Sequence, residues 1–151
     1  MTGARTDDPT ALARACAEAM WAEDRASAGL GMRLEHVAPG QAVMAMTITE
    51  AMVNGHGICH GGFIFALADS AFAFACNSHG ERAVAQHAAI DFLRPAQLGE
   101  TLRAEAIERA RSGRSGIYDV CVTGADGGVI AEFRGHSRLS GGPFFPSKAK
   151  P

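Results

Sequence analysis

One carboxylate stands alone inside an otherwise apolar run. From Gly61 to Ser78 the chain reads Gly-Gly-Phe-Ile-Phe-Ala-Leu-Ala-Asp-Ser-Ala-Phe-Ala-Phe-Ala-Cys-Asn-Ser, and Asp69 is its only formal charge. A helix that is apolar on nearly every face belongs in a protein interior. Burying an acid there is unfavourable unless hydrogen bonds, or a task that uses a shifted pKa, compensate for the lost solvation. Asp69 therefore reads as a general base or a nucleophile. The competing reading is a helix break, because Asp is also a favoured N-cap and Ala68-Asp69-Ser70 would let a second helix start there.

A polar, glycine-rich loop, Asn54-Gly55-His56-Gly57-Ile58-Cys59-His60, runs into this helix through Gly61 and Gly62. The first N–H groups of a helix have no intrahelical partner and carry the positive end of its dipole. Glycines without a Cβ let a ligand oxygen approach those donors, so Gly61 and Gly62 have the character of an oxyanion hole. Close packing of the two glycines against a strand is the alternative. Gly61 and Asp69 are eight positions apart, which is about 12 Å along a helix axis. A donor must lie about 3 Å from the oxygen it stabilises and a base within about 3.5 Å of its target, so one ester-like carbonyl does not meet both groups of one helix. Two such helices running antiparallel across a twofold axis would bring the Gly61 end of one chain to Asp69 of the other. The expected site is thus shared between the subunits of a dimer.

Other chemistries fit less well. His56, Cys59 and His60 suggest a metal centre, but zinc needs three or four ligands and no carboxylate or second cysteine pair follows at suitable spacing. No metal is expected. His60 is read as bonding backbone at the loop–helix junction or touching substrate, and His56 as a loop residue. His87 and His136 fall on strands, with surface or interface roles. Cys59 and His60 are adjacent and point apart, so they do not make a thiol nucleophile and its base. Gly113-Arg114-Ser115-Gly116 lacks the spacing of a serine nucleophile elbow. The guanidinium forks of Arg94, Arg111, Arg114 and Arg134 match phosphate oxygens, a solvated surface role being the alternative for each. Phe63, Phe65 and Phe72 read as core.

The bulk composition bounds these readings. With 151 residues, 47% hydrophobic, 20% charged and a net charge of −2, the chain has the balance of one ordinary globular domain and no basic stripe for nucleic acid. The N-terminus lacks the pattern of a secretory signal, the Phe63 to Cys76 stretch is too short to span a bilayer, and Cys16, Cys59, Cys76 and Cys121 show no CxxC pairing. A cytoplasmic protein with reduced thiols and no membrane or nucleic-acid partner is expected. Residues 1–8 and 143–151 read as flexible ends of a domain spanning 9–142.

Within the domain, Leu12, Cys16, Ala19 and Met20 recur at helical spacing from Pro9 to about Ser27, with Thr10 as N-cap. Strands are expected over 32–37 and 41–49, before the central helix. A four-strand antiparallel meander over 83–93, 101–110, 115–123 and 129–139 follows, the last turn carried by Asp126-Gly127. The class is α+β: a curved antiparallel sheet wrapped around a central apolar helix, with an additional N-terminal helix.

At Val53-Asn54-Gly55-His56, Cys59-His60-Gly61-Gly62, Leu67-Ala68-Asp69, Ala71-Phe72-Ala73, Ala75-Cys76-Asn77-Ser78, Asp91-Phe92-Leu93-Arg94-Pro95 and Phe133-Arg134-Gly135 the sequence resembles the hotdog-fold acyl-CoA thioesterases of the phenylacetate-degradation (PaaI) type. The resemblance runs from about residue 10 to 142. It implies hydrolysis of coenzyme A thioesters, with Asp69 as general base or nucleophile and the Gly61 amide polarising the thioester carbonyl. Asn54 and His60 match positions that bind the carbonyl or orient water. Gly62, Ser70 and the four arginines are grouped with the substrate-binding residues. The resemblance further implies an aryl-acetyl or hydroxylated aryl-acetyl thioester as substrate, no cofactor beyond the CoA of the substrate, and dimers paired into tetramers. Two rivals remain at this point: a hotdog dehydratase or isomerase, which would pair a His with an acid, and a non-catalytic acyl-CoA-binding sensor.

Overall fold

The computed structural model describes residues 7–146. The flexible ends expected from the sequence lie outside this range, except for residues 7–8 and 143–146. Helices α1 (Pro9–Glu23) and α2 (Arg25–Gly29) precede the hairpin β1 (Arg33–Ala38) and β2 (Gln41–Thr47). A single 3-10 turn at Glu50–Met52 leads into the central helix α3 (Gly61–Cys76). Strands β3 (Glu81–Phe92), β4 (Thr101–Ser112), β5 (Ser115–Thr123) and β6 (Val129–Pro143) complete one antiparallel sheet of order β1-β2-β4-β5-β6-β3.

The sheet curls around α3 because alternate residues of its strands are small or apolar on one face only. Leu102, Ala104 and Ala106 of β4 and Tyr118, Val120 and Val122 of β5 are buried against Leu67, Ala68, Ala71, Phe72 and Ala75 of α3. Phe72 is the centre of this packing. Its ring lies 5.5 Å from that of Tyr118 and 5.9 Å from that of Phe133. It also fills the space where a side chain at Gly135 would stand, so that a Cβ there would come within 2.8 Å of the ring.

Four sequence expectations need correction. The N-terminal helix is two helices, because the Asp24 carboxylate accepts from Ser27 N at 2.9 Å and from Ser27 Oγ at 2.6 Å and so caps a second, short one. The cap of α1 is Asp8, which accepts from Thr10 N at 3.1 Å while Pro9 takes the first helical position. Strands β3 to β6 are also not a simple meander. The chain leaves α3 beside β6, so β3 adds outside β6 and the return to β4 must cross the end of the sheet. That crossing bonds successively to Ile130 O through Leu93 N (2.8 Å), to Cys59 N through Ala96 O (2.8 Å) and to Ile48 O through Gly99 N (2.8 Å). The last strand also runs on to Pro143, and Phe144 beyond it is buried, its N–H bonded to Gly80 O at 2.8 Å.

The end of α3 is fixed by buried polar side chains. Asn77 donates to Ala73 O and Ala83 O and accepts from Ala83 N, joining helix to β3. Ser78 donates to Ala75 O and accepts from Gly40 N, joining helix to the β1–β2 turn. One edge of the sheet, β3, is left with twelve residues and no partner strand on its outer side among the described residues. Gly135→Ala should destabilise the fold by about 1–3 kcal/mol, because Phe72 is buried and has nowhere to move. Denaturant unfolding measures it, and an unchanged midpoint would remove this contact as a constraint.

Candidate active site

The helix does not break at Asp69. Continuous helical geometry from Gly61 to Cys76 puts the carboxylate in the middle of α3, half-buried, with no hydrogen bond or ion pair among the described residues. Burial pushes its carboxyl above the ordinary aspartate value. Cys76, seven positions on, lies on the same helix face, and burial followed by the charge of Asp69 pushes its thiol up to about 12. Both groups look toward the β6–β3 side of the sheet, where Phe65 and Phe72 of the same face meet Phe133.

The other half of the site is built by the 54–60 loop. Asn54 Oδ1 accepts from His56 N at 3.0 Å, Asn54 N donates to Ile58 O, and Val53 pairs with Cys59, closing a small hairpin. The residue that starts the helix is His60: its Nδ1 accepts from Gly62 N at 2.8 Å and its carbonyl accepts from Phe63 N at 3.0 Å. An accepting Nδ1 leaves the ring proton on Nε2. With Gly62 N–H and Phe63 N–H both taken, the amide of Gly61 is the first-turn donor beside the cleft that has no partner among the described residues. Of the two glycines, Gly61 therefore keeps an amide open to the cleft, and Gly62 belongs to the cap.

A cleft of about 360 Å³ opens beside that amide, lined by Asn54, Ile58, Gly61, Ile64, Phe92 and Arg94. Phe92 stands in the Asp91-Phe92-Leu93-Arg94-Pro95 motif, but sequence reasoning gave it no role of its own. Its ring lies on Gly61, where a Cβ would come within 2.9 Å of Cζ, yet 51% of the residue is exposed.

The arginines and Ser70 do not converge. Arg94 borders the cleft but its Nη2 pairs with Asp126 and, at 3.9 Å, with Glu100, so it folds over Gly124 and Gly128 and pins the β5–β6 turn. Arg134 makes two bonds, of 2.6 and 2.9 Å, to Asp119 on the outer face of the sheet. Arg111 pairs with Glu108 at 2.8 Å, and Arg114 donates to Leu139 O, both near the C-terminal end of α3. Ser70 Oγ meets Ser27 Oγ at 2.8 Å and ties α2 to α3. Among the described residues no group of three or more His, Cys, Asp or Glu side chains has the geometry to hold a metal ion.

The unpaired amide at a helix start and the unpaired carboxylate in mid-helix coincide with a family pattern over residues 56–131, that of the thioesterase superfamily. A protein of Escherichia coli K12 described as acyl-coenzyme A thioesterase PaaI is 45% identical over 126 residues, which are 83% of this chain and 90% of that protein. The chain belongs to the thioesterase superfamily, in its PaaI-type hotdog branch. The solved E. coli PaaI structure from the phenylacetic acid degradation operon superposes with a TM-score of 0.88, at 43% identity over 90% of this chain and 99% of that one. A mutant phenylacetic acid degradation protein PaaI from Thermus thermophilus superposes at 0.75, with 39% identity over 78% of this chain and 100% of that one. This PaaI-type chain shares the hotdog arrangement of those proteins, including the helix inside the curled sheet.

No described helix is long and apolar enough to cross a membrane. Because burial favours the neutral form of Asp69, the stabilising contribution of that protonated form is present at low pH and is lost as pH rises through its raised folded pKa. Asp69→Asn should therefore melt at a higher temperature than the parent at about pH 8, with the difference vanishing as pH falls to about 4. Thermal melts across that range check it, and equal melting points at about pH 8 would contradict a destabilising carboxylate.

Proposed function

We propose that this thioesterase hydrolyses acyl-CoA thioesters to the free acid and CoA at two equivalent sites of a homodimer. The observation that carries this reading is the pair of unsatisfied groups on α3: the Gly61 amide and the Asp69 carboxylate, about 12 Å apart on one continuous helix. The unpaired outer edge of β3 supports the dimer. If two β3 edges pair antiparallel, the sheets join, the two helices run side by side in opposite directions, and each Gly61 faces the other subunit's Asp69. Pairing of such dimers into tetramers is proposed on the resemblance to the PaaI-type enzymes.

In each site the thioester oxygen accepts from Gly61 N–H, the positive end of the helix supporting the charge that develops there. Asp69 of the facing subunit then either deprotonates an attacking water, whose addition breaks the C–S bond and releases CoA as the thiol, or adds to the carbonyl and expels the CoA thiolate to give a mixed anhydride that water opens. A carboxyl raised by burial suits the first route, because a base closer to neutral pH accepts the proton more fully. The chemistry uses no cofactor and no metal. His60 is occupied in capping its own helix, which supports hydrolysis over the His–acid chemistry of a dehydratase. The acyl group proposed is aryl-acetyl or hydroxylated aryl-acetyl, in keeping with the PaaI proteins this chain is similar to.

Asp69→Asn or Asp69→Ala should lower turnover by about 10²–10⁴-fold, measured as free thiol released from a panel of acyl-CoAs with a chromogenic disulfide. The acidic limb of the parent's pH–rate profile should lie above the ordinary aspartate range. Undiminished turnover in the variant would overturn the assignment, and saturable binding without thiol release in the parent would make the protein a sensor.

A further inference from the structure

Gly61 is a glycine for a reason its backbone does not supply. Its φ lies outside the left-handed region, so a residue with a side chain could take the same conformation. What excludes a side chain is Phe92: a Cβ on Gly61 would stand 2.9 Å from Cζ, 3.2 Å from Cε1 and 3.4 Å from Cε2 of that ring. With one C–C bond of about 1.5 Å behind that Cβ, the outer end of the ring lies within about 4.5 Å of Gly61 Cα. An oxygen about 3 Å from the Gly61 nitrogen falls within a similar reach of the same Cα, in the cleft that both residues line.

The ring buries little of itself by lying there. It is 51% exposed, stands apart from the hydrophobic core and makes no aromatic pair among the described residues, whereas Ile90, on the same face of β3, packs against the core. Its backbone is nonetheless held from both sides. Leu93 N and Arg94 N both donate to Ile130 O, at 2.8 and 3.3 Å, and the Arg94 side chain is tied to Asp126 and Glu100. Further along the same segment Ala96 O accepts from Cys59 N at 2.8 Å, so the end of β3 and the start of α3 form one frame. The fold thus fixes a half-exposed ring over an amide that has no partner among the described residues.

A phenyl ring in that position has two consequences. It carries no oxygen or nitrogen to take up the N–H, and it occupies space from which water would otherwise reach it. A carbonyl oxygen then approaches from the open side of the cleft, and the charge that develops on it is met in a drier place, where an amide dipole stabilises it more.

We infer that Phe92 is a positioning residue for thioester cleavage: its ring shields the Gly61 amide from water on one side and sets the direction from which the substrate carbonyl meets it. The inference rests on the shared-site hydrolase reading above. Because the ring acts at the carbonyl, which every acyl-CoA presents, its effect is the same whatever the acyl group.

The test compares Phe92→Leu and Phe92→Tyr with the parent on phenylacetyl-CoA and hexanoyl-CoA, by thiol release, with the oligomeric state of each followed by light scattering. Leucine keeps an apolar side chain but stops at its δ carbons, short of Gly61, whereas tyrosine keeps the ring. In Phe92→Leu kcat should fall about tenfold, equally on both thioesters, with KM within about twofold of the parent's, and Phe92→Tyr should keep the parent's kcat within about twofold. Undiminished kcat in Phe92→Leu, or an equal loss in Phe92→Tyr, would overturn the inference. So would a loss confined to the aryl substrate, which makes Phe92 part of the acyl pocket, or one expressed only in KM, which makes it a wall for the CoA moiety. A loss that follows dissociation of the dimer would make it an interface residue and overturn the inference as well. Absence of thiol release in the parent would instead defeat the hydrolase reading itself. Equal melting temperatures, expected because half of the residue is already in solvent, separate loss of alignment from loss of fold.

Discussion

A rigid helix cannot bend its own ends together, and that constraint governs the whole molecule. The Gly61 amide and the Asp69 carboxylate are fixed to one α3 axis at a separation far greater than one reacting carbonyl spans. Neither has a partner among the described residues of its own chain. Under the shared-site proposal, the two groups are satisfied by a ligand held between this chain and a second copy of it. In the proposed dimer the open β3 edge is the element that would meet that need, since an unpaired strand is a template for another.

The rest of the fold holds the helix in that position. Phe72, packed between Tyr118, Phe133 and Gly135, sets its height above the sheet, while Asn77 and Ser78 tie down its far end. At the near end His60 closes the first turn with its own side chain, which takes up the Gly62 amide and leaves that of Gly61 without a partner among the described residues. The burial that makes the helix stable also makes Asp69 unfavourable as an anion, so stability is lost at the group proposed to carry out the chemistry.

The features legible in the sequence were those with local signals. The apolar run with its one acid marked out α3 nearly residue for residue, the glycine pair its start, and Asp126-Gly127 the β5–β6 turn. Asp69 and Gly61 stood out because their chemistry conflicts with, or exposes, the backbone around them. What stayed hidden depends on distant partners. Pairing of β3 with β6 is decided by where α3 delivers the chain, which no hairpin signal encodes. Arg94 looked available for phosphate until the turn at Gly124 and Gly128 offered it Asp126 and Glu100. The role of Ser70 follows from Ser27, 43 residues earlier.

The shared site can be tested by complementation between two inactive chains. Gly61 is the first residue of α3, and His60 before it has φ −61° and ψ 131°, so proline fits there without breaking the helix while deleting the amide hydrogen. The half-exposed Phe92 ring that lies on Gly61 has solvent to swing into as the new side chain arrives. Gly61→Pro and Asp69→Asn chains, each inactive alone, are mixed, dissociated and reassociated. Every mixed dimer then has one site with both groups intact, and random assortment should restore about a quarter of the parent's thioesterase activity. If the mixture stays as inactive as its components although mixed dimers have formed, the two groups do not serve a site between subunits.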